Sequence, residues 1–163
     1  MKQSNNEAMM TPSAHIAKHL KDVYFGGNWT VSSLKEHLSD VTWQEAVTRV
    51  HGLNTIARLT YHIGYYVTIL MRVLQGGPLE GSDKFSFDHP PIQSAEDWQN
   101  LLDKTWAEAE TLAALIEQVP EDKLWGDFID AKYGTYYRNV QGVVEHTHYH
   151  LGQIVVIKKM VRQ

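Results

Sequence analysis

The sequence predicts an all-α protein built as a four-helix bundle. Three observations carry the prediction: four long segments repeat apolar residues at helical spacing, no segment alternates as a β-strand does, and glycine- and proline-rich stretches separate the segments. At 163 residues the chain has the length of one domain and can bury a core without disulfides or structural metal. We expect residues 1–11 to be a disordered N-terminal segment and residues 12–163 to form the domain.

The first helix is expected from about Pro12 to Phe25, entered through Thr11-Pro12-Ser13 and ended by Gly26-Gly27-Asn28. Leu34 and Leu38, four apart, allow a short helix after Asn28-Trp29-Thr30, which reads as a turn. Thr42 and Glu45 have the spacing of a capping box, so the second long helix is expected to start there. Its apolar series of Ala46, Val50, Leu53, Ala57, Ile63, Val67, Leu70 and Leu74 runs to Gln75-Gly76-Gly77-Pro78, with a kink near Gly52. Residues 76–93 form a long connection of the kind that shapes sites. Ser94 caps a third helix whose apolar face, from Trp98 to Ile116, leads to Pro120. Leu124, Trp125 and Phe128 anchor a mixed segment, Lys132-Tyr133-Gly134-Thr135 is a turn, and the last helix runs from about Thr135 to Val161. Long connections after the first and second helices argue against the simplest up-down hairpins.

The chain has no cysteine, which excludes disulfides, thiolate ligands and a thiolate nucleophile of its own; a transition-metal site must use His, Asp and Glu. A formal charge of −4 with interspersed signs offers no basic stripe for a nucleic-acid backbone. The polar opening has no signal-peptide core and no stretch has the length of a membrane span, so a cytoplasmic protein acting without membrane or nucleic acid is expected.

Nine histidines occur, and three fall within five residues: His146, His148 and His150. On a helix, residues four apart share a face with Cβ atoms about 5–6 Å apart, so His146 and His150 can share one ion. His148 lies about 200° around from both and cannot join them. The apolar stripe Val140, Val143, Val144, Thr147, Leu151, Ile154 places His150 at its edge and His146 further round, facing a groove. Gln153 lies on the same side, where it could hold a metal-bound water or a substrate.

Two imidazoles leave a catalytic metal site one ligand short. His62, mid-helix between apolar positions, is the best third ligand, and Gly64 and Gly152 beside these histidines would let two helices approach closely. His51, three turns before His62 on the expected helix and so about 16 Å away, is too far to share the ion. His15, His19, His37 and His89 are expected to be solvated or capping groups, with no groove around the His15/His19 pair. Tyr61, Tyr65, Tyr66 and Trp29 belong to the aromatic class that most often packs; Tyr65 and Trp29 join Gln153 as candidate substrate contacts.

The stretch Ile56-Ala57-Arg58-Leu59-Thr60-Tyr61-His62, the stretch His146-Thr147-His148-Tyr149-His150-Leu151-Gly152-Gln153-Ile154 and the order of helices resemble the DinB/YfiT-like superfamily of metal-dependent enzymes over about Pro12 to Val161. That resemblance implies a four-helix bundle with His62, His146 and His150 as ligands to one divalent ion, zinc or nickel foremost, and a shell completed by water. It also implies the chemistry of characterised relatives, which transfer bacillithiol or isomerise with mycothiol by lowering a thiol pKa at the metal. Many such relatives have Arg directly after the second histidine of HxxxH, where this chain has Leu151.

The expected function is therefore a metal-dependent transferase that activates a low-molecular-weight thiol cosubstrate for addition to an electrophilic small molecule. Metal-dependent hydrolysis, or a non-catalytic stress-related or small-molecule-binding bundle, are the alternatives. Glu145 lies away from the His146/His150 face, so the last helix supplies no general base, which favours transfer. The resemblance and the aromatic content imply a homodimer.

Overall fold

A computed structural model describes residues 10–163. The segment expected to be disordered, residues 1–11, falls outside the described residues except for its last two; of these, Thr11 caps the first helix by accepting from Ala14 N at 3.2 Å. Helix α1 spans Pro12–Phe25 and ends where Gly26 and Gly27 take positive φ. Short helices α2 (Leu34–Leu38) and α3 (Trp43–Val47) follow, then α4 (Ile56–Leu74), α5 (Ala95–Glu117), the short α6 (Glu121–Trp125) and α7 (Tyr136–Val161). Ser94 caps α5 as a side-chain acceptor, as its sequence position predicts, and Thr135 caps α7 in the same way.

The four long helices form a closed ring of packed pairs, α1 with α5, α5 with α4, α4 with α7 and α7 with α1, around one apolar core. Leu20, Tyr24, Ile63, Leu112, Ile116 and Ile154 are fully buried in it. Helices α1 and α4 therefore sit diagonally, as do α5 and α7. The chain needs the segments between α1 and α4 and between α5 and α7 to cross the end of the bundle, so a third long connection joins the two that were expected. Among the described residues the only strand-like contact is an isolated bridge between Asp127 and Thr135, and no helix is long and apolar enough to cross a membrane.

The second long helix departs from expectation. The capping box at Thr42 is real, with Thr42 Oγ1 accepting from Glu45 N and Glu45 accepting from Thr42 N, but α3 stops after five residues. Thr48 turns extended, His51 sits at φ 49°, and a new helix starts at Ile56, where Thr55 accepts from Arg58 N at 3.1 Å. The kink predicted near Gly52 is thus a complete break. Apolar period alone could not reveal it, because Leu53, in phase with the stripe, is surface-exposed. His51 is not on the helix of His62 at all.

Three local devices lock the connections. The indole of Trp98 donates to the Val41 carbonyl at 2.8 Å, tying α5 to the α2–α3 junction. Arg162 donates to both Asp40 and Glu45, and Lys158 to the His37 carbonyl, so the end of α7 clamps α2 and α3. Between α1 and α2 the Asn28 side chain donates to the Asp22 and Ser32 carbonyls and accepts from Thr30. In that turn Val31 takes φ 51°, a left-handed conformation that costs a β-branched residue on the order of 1–3 kcal/mol.

Candidate metal centre

Helices α4 and α7 run antiparallel: Leu59 shares one groove with Ile157, and Leu70 shares another with Val143. Midway along this seam α4 contributes His62 and α7 contributes His146 and His150. The nearest ligand nitrogens of the three imidazoles all lie within 4.8 Å of one another, a group that could hold a metal ion. His62 and His150 are each only 7 % exposed, while His146, which helical phase places further round from the stripe than His150, is half-buried.

The donor geometry suits an ion. Nε2 of His62 and Nε2 of His146 stand 3.1 Å apart. Two imidazole nitrogens bonded to one tetrahedral ion at their usual lengths are separated by about 3.3 Å. His150 donates its Nδ1–H to Gln153 Oε1 at 2.7 Å, which leaves Nε2 with a free lone pair. Nδ1 of His62 and Nδ1 of His146 are buried without a hydrogen-bond partner among the described residues, so these two rings are held by packing. The Ser86 carbonyl favours the charged form of His62, though no hydrogen bond to Nδ1 closes.

Burial also keeps the imidazoles in the form that binds metal. Desolvation, then the nearby His150 and His62 rings, push His146 down to about 4. Burial first and His150 second lower His62; burial lowers His150 against the opposing Gln153 hydrogen bond. Neutral imidazoles offer lone pairs, whereas three charged rings at these separations would repel.

Two residues complete the site that the sequence reading did not assign to it: Tyr66, read there as a packing aromatic, and Phe87. Tyr66, one turn after His62, packs edge-on against His62 and His146 with centroids 5.2 and 4.9 Å away, and its hydroxyl donates to Asp83. Its i+4 spacing from His62 was the available signal. Phe87 stacks flat on His62 at 3.9 Å and 5°, covered in turn by the Arg58 guanidinium. Phe87 reaches the site from the 76–93 connection, which no periodicity could place.

Of the candidate substrate contacts, Gln153 lies in the site but engages His150 through Oε1. Tyr65 points to the neighbouring face of α4, where its hydroxyl accepts from Ser82 N and donates to the Ser82 carbonyl, anchoring the connection. Trp29 is not brought to the histidines; it lines a cleft between α1 and α7. The close-approach role expected for Gly64 and Gly152 is not observed, since a Cβ on either would meet nothing within 4 Å; the wide imidazole and tyrosine rings hold the helices apart.

Two grooves flank the trio along the seam, and none of the three histidines lines either of them. One, of about 510 Å³, is lined by Gln153, Gly152, Tyr149, Asn54 and Leu53; the other, of about 260 Å³, by Tyr66, Leu70, Phe128, Asn139 and Val143.

No curated protein and no solved structure matches the chain. The family model of the DinB superfamily matches residues 19–154, a span that takes in His62, His146 and His150. With its all-helical fold and its three converging imidazoles, the chain belongs to the DinB superfamily.

Proposed function

We propose that His62, His146 and His150 bind one divalent metal ion, zinc or nickel foremost, and that the protein transfers a low-molecular-weight thiol to an electrophile. The observation that carries the reading is the convergence of three neutral-leaning imidazoles on one point, with Nε2 of His150 freed for binding by Gln153. A bound ion would act as a Lewis acid, lowering the pKa of a thiol beside it. The chain has no cysteine, so that thiol is a cosubstrate.

The chain's own residues have defined parts in this reading. Gln153 holds the His150 ring in one tautomer, and Phe87 seals the buried side of His62 from water. Tyr66 forms the wall between the trio and the smaller groove, held in place by Asp83. Two grooves that flank the trio, one bordered by Gln153 and the other by Tyr66, suit a reaction with two substrates. In the transfer the thiol loses its proton to solvent, a sulfur–carbon bond forms, and the electrophile releases its leaving group or takes up a proton.

The exposed Trp125–Tyr137 stack, with Ile129 exposed on the same connection, offers aromatic surface for the homodimer that belongs to this reading, as does a cytoplasmic location. Metal-activated hydrolysis is a second reading, favoured by one observation: the Asp83 carboxylate, held by Tyr66, acts electrostatically on His62.

The test is elemental mass spectrometry on untagged protein, followed by thiol-consumption assays with an alkyl halide. We expect close to one ion per wild-type chain, loss of that ion in folded His146→Ala and His150→Ala variants, and transfer only by the loaded form. A wild type that takes up neither zinc nor nickel would overturn the metal reading. A loaded protein that hydrolyses esters but conjugates no thiol would replace transfer by hydrolysis.

A further inference from the structure

A guanidinium carries a permanent charge and a fork of N–H donors, so holding one away from water without a partner is costly. Among the described residues three lysines and arginines are partly buried, Lys18, Arg58 and Lys158, and all others are exposed. Lys18 pairs with Asp22 and Lys158 with Asp40. Arg58 makes no ion pair, and its side chain makes no hydrogen bond, among the described residues. The carboxylates of the 76–93 connection do not serve it: Asp83 accepts from Tyr66, and Asp88 is exposed and unpaired.

This unpaired cation stands beside the imidazole trio. Arg58 precedes His62 by one turn of α4, and its guanidinium lies over the Phe87 ring, 5.3 Å from the centroid, while that ring stacks on His62. One aromatic ring is thus shared by the cation and a member of the trio. Contact with a ring face places a guanidinium without consuming its N–H donors, so the fork stays free for a planar anion. Helix stability does not account for the residue, since the first turn of α4 holds no acidic side chain and the helix dipole disfavours a cation there.

The surroundings supply no other cation. Leu59, next in the chain, lines the larger of the two grooves that flank the trio, and no charged side chain lines either groove. A charge on a molecule held at the trio is therefore met by Arg58 or by solvent.

We propose that Arg58 recognises a carboxylate on the thiol cosubstrate, which makes that cosubstrate an anionic thiol whose sulfur faces the trio and whose carboxylate meets the guanidinium fork. The inference rests on the metal and thiol reading given above. The thiol, and not the electrophile, is assigned the contact because the molecule held at the trio is the one that stands beside the Phe87 and Arg58 pair.

The experiment titrates the full-length protein, zinc-loaded and metal-free, with 6-mercaptohexanoate and with 6-mercapto-1-hexanol, a neutral thiol of the same length. Binding is followed on the ligand methylene signals and on the Arg58 Nε–H cross-peak, identified by its loss in Arg58→Lys. The carboxylate thiol is expected to shift that peak saturably and to bind at least about tenfold more tightly than the neutral one. Arg58→Met, which keeps an apolar cover on Phe87, is expected to bring the two affinities within about twofold while circular dichroism stays unchanged; Arg58→Lys, which keeps the charge and loses the fork, is expected to retain a severalfold preference. In metal-free protein the Arg58 shift and the preference are expected to persist. A chain that takes up no zinc would thus overturn the metal reading while a persistent preference still supports Arg58. Equal affinity for the two thiols in wild type, an unmoved Arg58 peak, or a preference that survives intact in Arg58→Met and so comes from the ion would each overturn the proposal.

Discussion

Gln153 accepts the Nδ1–H of His150 across 2.7 Å, three residues further along α7, and this contact decides which nitrogen of His150 faces His62 and His146. A side chain that fixes the tautomer of a ligating imidazole is worth about 10–100-fold in metal affinity. Gln153→Ala is therefore expected to weaken zinc binding by that factor while leaving the helix content unchanged, and Gln153→Glu, which keeps an acceptor, to restore most of it. Competition against a chelator of known affinity measures both. An alanine variant with wild-type affinity would leave Gln153 with a substrate role alone.

Phe87 lies flat on His62, 3.9 Å away, and is the one aromatic ring by which the 76–93 connection grips the trio. Phe87→Ala removes a stacked pair and part of a buried apolar surface, so a loss of about 1–3 kcal/mol in urea unfolding is expected. Faster hydrogen exchange should be confined to residues 79–89, because Tyr65 still holds Ser82.

Gly64 and Gly152 sit inside helices where a Cβ would meet open space. Glycine costs a helix interior about 1 kcal/mol relative to alanine, so Gly152→Ala should raise the stability of the protein by up to about that amount, read as a higher urea midpoint. If Gly152→Ala is more stable but raises the KM for thiol or electrophile, the open space belongs to a substrate.

Side-chain hydrogen bonds hold two carboxyls well below their ordinary values of 3.8 and 4.5, each at about 2: Asp40 through Lys158 and then Arg162, and Glu45 chiefly through Arg162. A depressed carboxyl pKa stabilises the fold above the unfolded value and ceases to do so as pH falls through the folded one. Wild type should therefore lose stability as pH drops from about 4.5 to about 2, and Arg162→Ala should show a shallower loss across that window. Both carboxylates are close to solvent, so the difference is small and shrinks in high salt.

Tyr24 is fully buried, and its hydroxyl has no hydrogen-bond partner among the described residues; burial pushes its pKa strongly upward. An unpaired buried hydroxyl costs about 1–3 kcal/mol, so Tyr24→Phe should be neutral or stabilising in thermal unfolding. A clear loss of stability would mean that the hydroxyl is bonded in solution, Thr147 being its polar neighbour.

Much of the site was legible in the sequence, because its strongest part is local. The i,i+4 spacing of His146 and His150 forces them onto one face of any regular helix, and the apolar stripe of α7 turns that face to a seam. Capping residues are equally local: Thr11 and Ser94 act through hydrogen bonds that span three residues, and they stand where the sequence places them. His62 was identified by its position in an apolar run, and no local rule brought it to the pair.

What only the tertiary structure decided depends on surfaces far apart in the chain. The break between α3 and α4 follows from Thr55 competing for a helix start and from Leu53 having no core to enter, so the apolar period runs through a segment that is not helical. Trp29 went to the α1–α7 cleft because a turn fixed by Asn28 directs it there. Phe87 and Asp83 reached the trio because the 76–93 connection folds back over α4, held by Tyr65 and Tyr66. Residue spacing specifies which side chains share a face; which faces meet is set by packing the whole chain, and that step brought His62 within 3.1 Å of His146 across 84 residues of sequence.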